Sequence, residues 1–173
     1  TGGLPGAQVD GGRLMARKYA QIQVSIWSDE DFKALDPLYQ HMYFVLLSQP
    51  RMNLCGVIDF IPARIAQASY SLTVDEVEQR VKWLDSKRYI VVDNDTSELL
   101  IRSFIRNDGL LKMPNVATGM ASDYGEVMSS KLRKAIEKEL ARCYASEPDL
   151  RGWESVKRTN AVLFENVTRG VGS

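Results

Sequence analysis

Between residues 56 and 106 the apolar pattern changes period twice, and the order of those changes restricts the fold more than any other feature of the chain. A short β-rich run, Gly56-Val-Ile-Asp-Phe60, leads into a short helix predicted over 62–69, with Pro62 at its start. Thr73-Val-Asp-Glu76 then has the form of a capping box, in which the threonine oxygen accepts from the third amide and Glu76 reaches back to the threonine amide. Val74, Val77, Val81 and Leu84 follow at three- and four-residue steps, the stripe of an amphipathic helix. Two further β-rich runs, 89–92 and 99–105, flank Asn94-Asp-Thr-Ser-Glu98 and read as a hairpin.

Upstream, Ser28 with Asp29, Glu30 and Asp31 behind it predicts an N-cap and an acidic first turn, where the helix dipole favours negative charge. Asp36-Pro37 restarts the helical pattern, and Leu38, Met42, Val45 and Leu46 continue it to Gln49-Pro50. Helix, strand, helix, capped helix and hairpin make a winged helix-turn-helix, so the fold class expected is α+β, mainly α, with a C-terminal helical extension. The winged unit is placed at 15–106. Around it are expected a glycine-rich flexible arm at 1–14 with Met15 as a natural start, a linker at 107–124, a helix within 125–153 and a loosely ordered tail at 154–173. Ser129 or Ser130 caps that last helix, whose stripe is Leu132, Ile136, Leu140 and Cys143.

Composition removes several classes of function. Lysine plus arginine (22) equals aspartate plus glutamate (22) over 173 residues, so no bulk positive field draws the molecule to DNA or membrane, and any such contact must be local. Cys55 and Cys143 are far apart and His41 is the sole histidine, which leaves no Cys/His metal set and suggests buried thiols in a reduced, cytoplasmic setting. No apolar run approaches the roughly 20 residues of a spanning helix. Phosphate loops, nucleophile elbows and metalloprotease pairs are missing from the sequence, so an enzyme, a cofactor and a metal are not expected.

Residues 17–27, Asp29-Glu-Asp-Phe32, Leu35-Asp-Pro-Leu-Tyr39, Gly56-Val-Ile-Asp-Phe60 and the hairpin running into Phe104-Ile-Arg-Asn107 resemble winged-helix proteins of actinobacterial phages and prophages. Those proteins are described as helix-turn-helix or replication-initiation-like, and their layout is similar to the N-terminal domain of DnaD-type primosome proteins. The likeness spans about residues 15–125. It implies a DNA-binding protein of a bacterial host cytoplasm, acting in replication initiation or transcriptional control, with double-stranded DNA as partner.

In that geometry the helix from Thr73 enters the major groove, which nominates Gln79, Arg80 and Lys82 for base edges. Arg64, Gln67 and Ser71, then Lys87, Arg88, Arg102 and Arg106 on the hairpin side, are the candidates for phosphates. Asp75, Glu76 and Glu78 oppose this, because they place negative charge on the leading turn of the reading helix. A second basic patch comprises Lys131, Arg133, Lys134 and Lys138. The alternative is a non-enzymatic scaffold in which the winged helix serves self-association or recruits a replication or transcription protein.

Overall fold

The computed structural model describes residues 9–10, 13–14, 17–107 and 109–171. Two short strands, β1 (Val9–Asp10) and β2 (Arg13–Leu14), pair antiparallel within the stretch expected as a flexible arm; the rest of that arm and Met15 lie outside the described residues. Helix α1 (Glu30–Lys33) is capped by the Asp29 carboxylate, which accepts from the amides of Asp31 and Phe32. The cap is therefore one residue later than the serine expected, since Ser28 ends a 3₁₀ turn. Helix α2 (Pro37–Leu47) starts on Asp36 and Pro37 as expected, and it buries Met42, Tyr43, Leu46 and Leu47. His41 is exposed.

Strand β3 (Val57–Asp59), helix α3 (Pro62–Ile65) with a 3₁₀ turn behind it, and helix α4 (Val74–Ser86) follow in the expected order. The capping box forms: Glu76 N–H donates to Thr73 Oγ1 at 3.2 Å, and Thr73 N–H donates to Glu76 Oε2 at 2.8 Å. Strands β4 (Ile90–Asp93) and β5 (Glu98–Ile101) make the hairpin, and β5 lies between its neighbours in the order β3-β5-β4, all antiparallel. The fold is mainly helical with one small three-stranded sheet. Helix α5 (Phe104–Asn107) ends the hairpin early. Arg102 and Arg106, expected on the hairpin, sit in the turn after β5 and on α5, because the second strand stops at Ile101.

Register assigns the sheet two buried faces. Val57, Leu100 and Val91 lie across from one another, as do Ile58, Leu99 and Val92 one residue along, and side chains alternate from face to face. The paired Asp93 and Glu98, on the face of Leu100, reach the following helices: Glu98 accepts from the amides of Met128 and Ser129 at 3.0 and 2.7 Å, and Ser129 Oγ donates to Asp93. The other face holds Ile90, Leu99 and Ile101, all fully buried, and α4 packs on β4. Gly56 enters β3 at φ +82°, and a Cβ there would stand 2.6 Å from Phe104 Cβ, so both backbone and space require glycine.

The C-terminal third departs from expectation. Residues 107–124, read as a linker, contain most of helix α6 (Pro114–Glu126), which buries Ala117, Met120, Ala121 and Tyr124. Helix α7 (Ser130–Ser146) is the helix expected within 125–153, capped by Ser129 Oγ accepting from Leu132 N–H. Residues 154–173, read as a loose tail, instead carry most of α8 (Gly152–Thr159) and all of α9 (Ala161–Gly170). Trp153, Val156, Leu163 and Val167 are buried among α6 and α7, which is why the segment is held. Gly152 packs so closely on the Leu111 carbonyl that a Cβ would lie 2.3 Å from its oxygen. Tyr124 Oη and Asn166 Nδ2 both donate to Glu137 Oε1, which joins α6, α7 and α9.

Candidate nucleic-acid interface

Helix α4 turns Val77, Val81 and Leu84 inward and leaves Asp75, Glu78, Gln79, Lys82 and Ser86 in solvent. The outer side is free, and Gln79 and Lys82 are both on it. Arg80 is turned aside: it is half-buried and its Nη2 lies 3.4 Å from Glu76 Oε1, one turn back on the same helix. Trp83 stacks on Tyr39 of α2, with ring centroids 4.0 Å apart and planes at 13°, and Lys87 Nζ lies over the Trp83 ring at 5.5 Å. Arg64, Gln67 and Ser71 are exposed, and the Ser71 hydroxyl lies 3.3 Å from that of Ser69.

The end of α4 is strained. Tyr89 N–H donates to the Leu84 carbonyl at 3.1 Å and Arg88 N–H to the Asp85 carbonyl at 3.0 Å, the paired bonds of a Schellman motif. Its left-handed position, where glycine is usual, is taken by Arg88 at φ +65°. The Arg88 carbonyl in turn accepts from Arg102 Nη1 at 3.3 Å, so the two arginines are fixed side by side.

Glu139 is the residue around which the positive charge is arranged. Its side chain is 1% exposed, and it receives Arg102 Nη2 at 3.0 Å, Arg106 Nε at 3.2 Å and Arg142 Nη1 at 3.1 Å. Three guanidinium groups share one carboxylate, and the surplus charge is left at the surface beside Arg88. Along α7, Lys131, Lys134, Lys138 and Arg142 recur at three- and four-residue steps and are all exposed, so they extend the same side of the molecule. Lys131 Nζ donates to the Val92 carbonyl of edge strand β4 at 2.7 Å, which puts the start of this row against the hairpin.

Arg102 and Arg106 of the first basic group are thus tied to α7, which carries the second group, while Arg64, Gln67, Ser71, Arg80 and Lys87 make no such link among the described residues and Arg133 turns aside. Its Nε donates to the Val127 carbonyl at 2.6 Å and its guanidinium covers Tyr124, away from the row. Arg142 belongs to the basic run that the sequence shows on this helix, whereas Glu139 had no place among the sequence candidates. A glutamate within a basic helix carries no local sign that it will meet arginines 33 to 37 positions earlier.

The hairpin tip lacks the cations of a phosphate-gripping wing. Asn94, Asp95, Thr96 and Ser97 form it, with Ser97 at φ +54°. Asp93 beside it is held below the usual carboxylate range, first by the hydrogen bond from Ser129 and then by amides of Asp95 and Thr96. Burial pushes the Cys55 thiol well up, and its Sγ donates to the Met120 carbonyl, as suits an inert core thiol. Cys143 is half-buried and also unpaired by any disulfide.

No family model, curated protein or solved structure matches this chain. Among the described residues no cluster of His, Cys, Asp or Glu fits a metal ion, and no helix is long and apolar enough to cross a membrane.

Proposed function

We propose that this chain is a winged helix-turn-helix protein that binds duplex DNA, with the free side of α4 in the major groove and the row of cations around Glu139 on the phosphates. The observation that carries this reading is the element order α2, β3, α3, α4, β4, β5, closed by a sheet in the order β3-β5-β4, with the outer face of α4 left open. Gln79 and Lys82 are the groove candidates, since glutamine bridges two acceptor and donor positions on adenine. Phosphate contact is assigned to Arg88, Arg106, Lys134, Lys138 and Arg142 rather than to the acidic hairpin tip. The resemblance to phage and prophage proteins directs the task to replication initiation or transcriptional control in a bacterial cytoplasm.

A fluorescence-polarisation titration with random and phage-derived duplexes at two salt concentrations tests this reading. Binding that falls steeply with salt supports it, and no binding at low salt ends it.

A second reading has its own support. Asp75 and Glu78 on α4 adjoin the exposed Tyr70 and Val74, an apolar and acidic surface that suits a protein rather than phosphate. There the winged unit is a scaffold for self-association or for a replication or transcription partner. Light scattering showing a dimer, combined with silent duplex titrations, would select it.

A further inference from the structure

We propose that the cavity between the N-terminal segment and the end of α4 is a site for a single nucleotide, its ring on an aromatic floor and its one phosphate on arginines. This goes beyond duplex binding and does not rest on it. The cavity has a volume of about 730 Å³, within the range of small-molecule sites. Its floor is the half-buried Tyr89, backed edge-to-face by the buried rings of Phe32 and Tyr43 with centroids 6.5 and 6.0 Å from it. A planar π-face such as that of Tyr89 accepts any base by stacking.

One wall is basic. Arg88, Arg102 and Arg106 line it, and the last two already share Glu139 with Arg142, so positive charge is in excess there. Arg102 Nε is buried and has no hydrogen-bond acceptor among the described residues. Tyr43 Oη and Ser103 Oγ, 2.8 Å apart, add hydroxyls at its foot. Asp29 and Asp31 also line the cavity. Asp29 is engaged as the cap of α1, while Asp31 can accept from an exocyclic amino group of a base. Those carboxylates would repel a long phosphate chain, so the site suits a monophosphate.

Arg88 supplies the independent sign. A non-glycine residue in the left-handed region persists where something offsets its strain, and such residues gather at ligand sites. A structural Schellman end here would be served better by glycine.

The test is calorimetric titration of the full chain with dAMP. Saturable binding is expected, with deoxyadenosine and inorganic phosphate each weaker by about tenfold or more, equivalent to about 1.4 kcal/mol. Arg88→Gly should melt at the same temperature or higher, yet bind dAMP about tenfold more weakly. A 5′-phosphorylated oligothymidylate that competes with dAMP marks a strand end as the natural source, and one that does not compete marks a free nucleotide. The proposal is overturned if neither dAMP nor the oligonucleotide binds, or if both Arg88→Gly and Arg106→Gln leave dAMP affinity unchanged. Silent duplex titrations alongside retained dAMP binding would fault the duplex reading alone.

Discussion

Arg102 Nη2 lies 3.0 Å from Glu139 Oε1, and this ion pair across 37 residues fastens α7 to the end of the hairpin. Glu139 is buried, whereas Arg106 and Arg142 are about half exposed at 48% and 49%. Removing the carboxylate leaves Arg102 as an unpaired, mostly buried charge, while the other two can turn to water. Glu139→Gln is therefore expected to cost about 3 kcal/mol, the lower end for breaking a buried pair, read from urea denaturation. The same change raises the local positive charge, so duplex affinity at low salt should rise as stability falls. A variant that loses both affinity and stability would mean that the arginines must be held in place to bind.

Lys134 and Lys138 have no ion-pair partner among the described residues, and both are exposed on one side of α7. If they neutralise phosphates, Lys134→Ala with Lys138→Ala should weaken all duplexes alike. The slope of log K against log salt should flatten by about 0.9 for each phosphate no longer neutralised. Gln79→Ala should instead relax sequence preference with the slope kept. An unchanged slope in the double lysine variant would remove α7 from the interface.

The segment beyond residue 151 is part of the core, and its variants should behave so. Trp153 is buried, its Nε1 donates to the Glu147 carbonyl at 2.9 Å, and its ring meets Tyr144 edge-on at 5.1 Å. Trp153→Ala should cost about 3–5 kcal/mol in a denaturant titration. Gly152→Ala should destabilise as well, because the obstacle is the Leu111 backbone rather than a side chain that can move. Wild-type stability in Trp153→Ala would mean that α8 contributes little to the fold.

Elements with local chemistry were legible in the sequence, and those built by distant contacts were not. The Thr73 capping box, the Asp36-Pro37 start and the hairpin turn each state their structure within a few residues, and each forms as read. Helix α6 was hidden because Gly119, Ser122 and Gly125 lower its propensity, although Ala117, Met120, Ala121 and Tyr124 hold a helical stripe that packing completes. In α8 and α9 the stripe is only two residues deep on each helix, and the Asn160 cap that accepts from Leu163 N–H was the remaining signal. The candidate interface was legible as residue types on faces. Which arginines would share Glu139 is a tertiary fact with no local pattern.

Acid should loosen the tie between hairpin and α7 before it melts the core. Asp93 lies below its ordinary range chiefly because Ser129 Oγ donates to it, and Glu76 does so because the amide and then the hydroxyl of Thr73 donate to it. Both carboxyls bind protons less readily in the native state than in the unfolded chain. Their contribution is therefore complete above the unfolded values of about 4, and it is lost as pH falls through the lowered native values. The urea midpoint should accordingly drop as pH falls below about 4, more steeply for the wild type than for Asp93→Asn or Glu76→Gln, which lack the titrating group. Ser129→Ala should weaken the effect at Asp93 and also remove the α7 cap, so its midpoint should be lower at neutral pH too. If Asp93→Asn follows the wild-type profile at every pH, the hairpin is held by its apolar packing on α7 and not by this carboxylate.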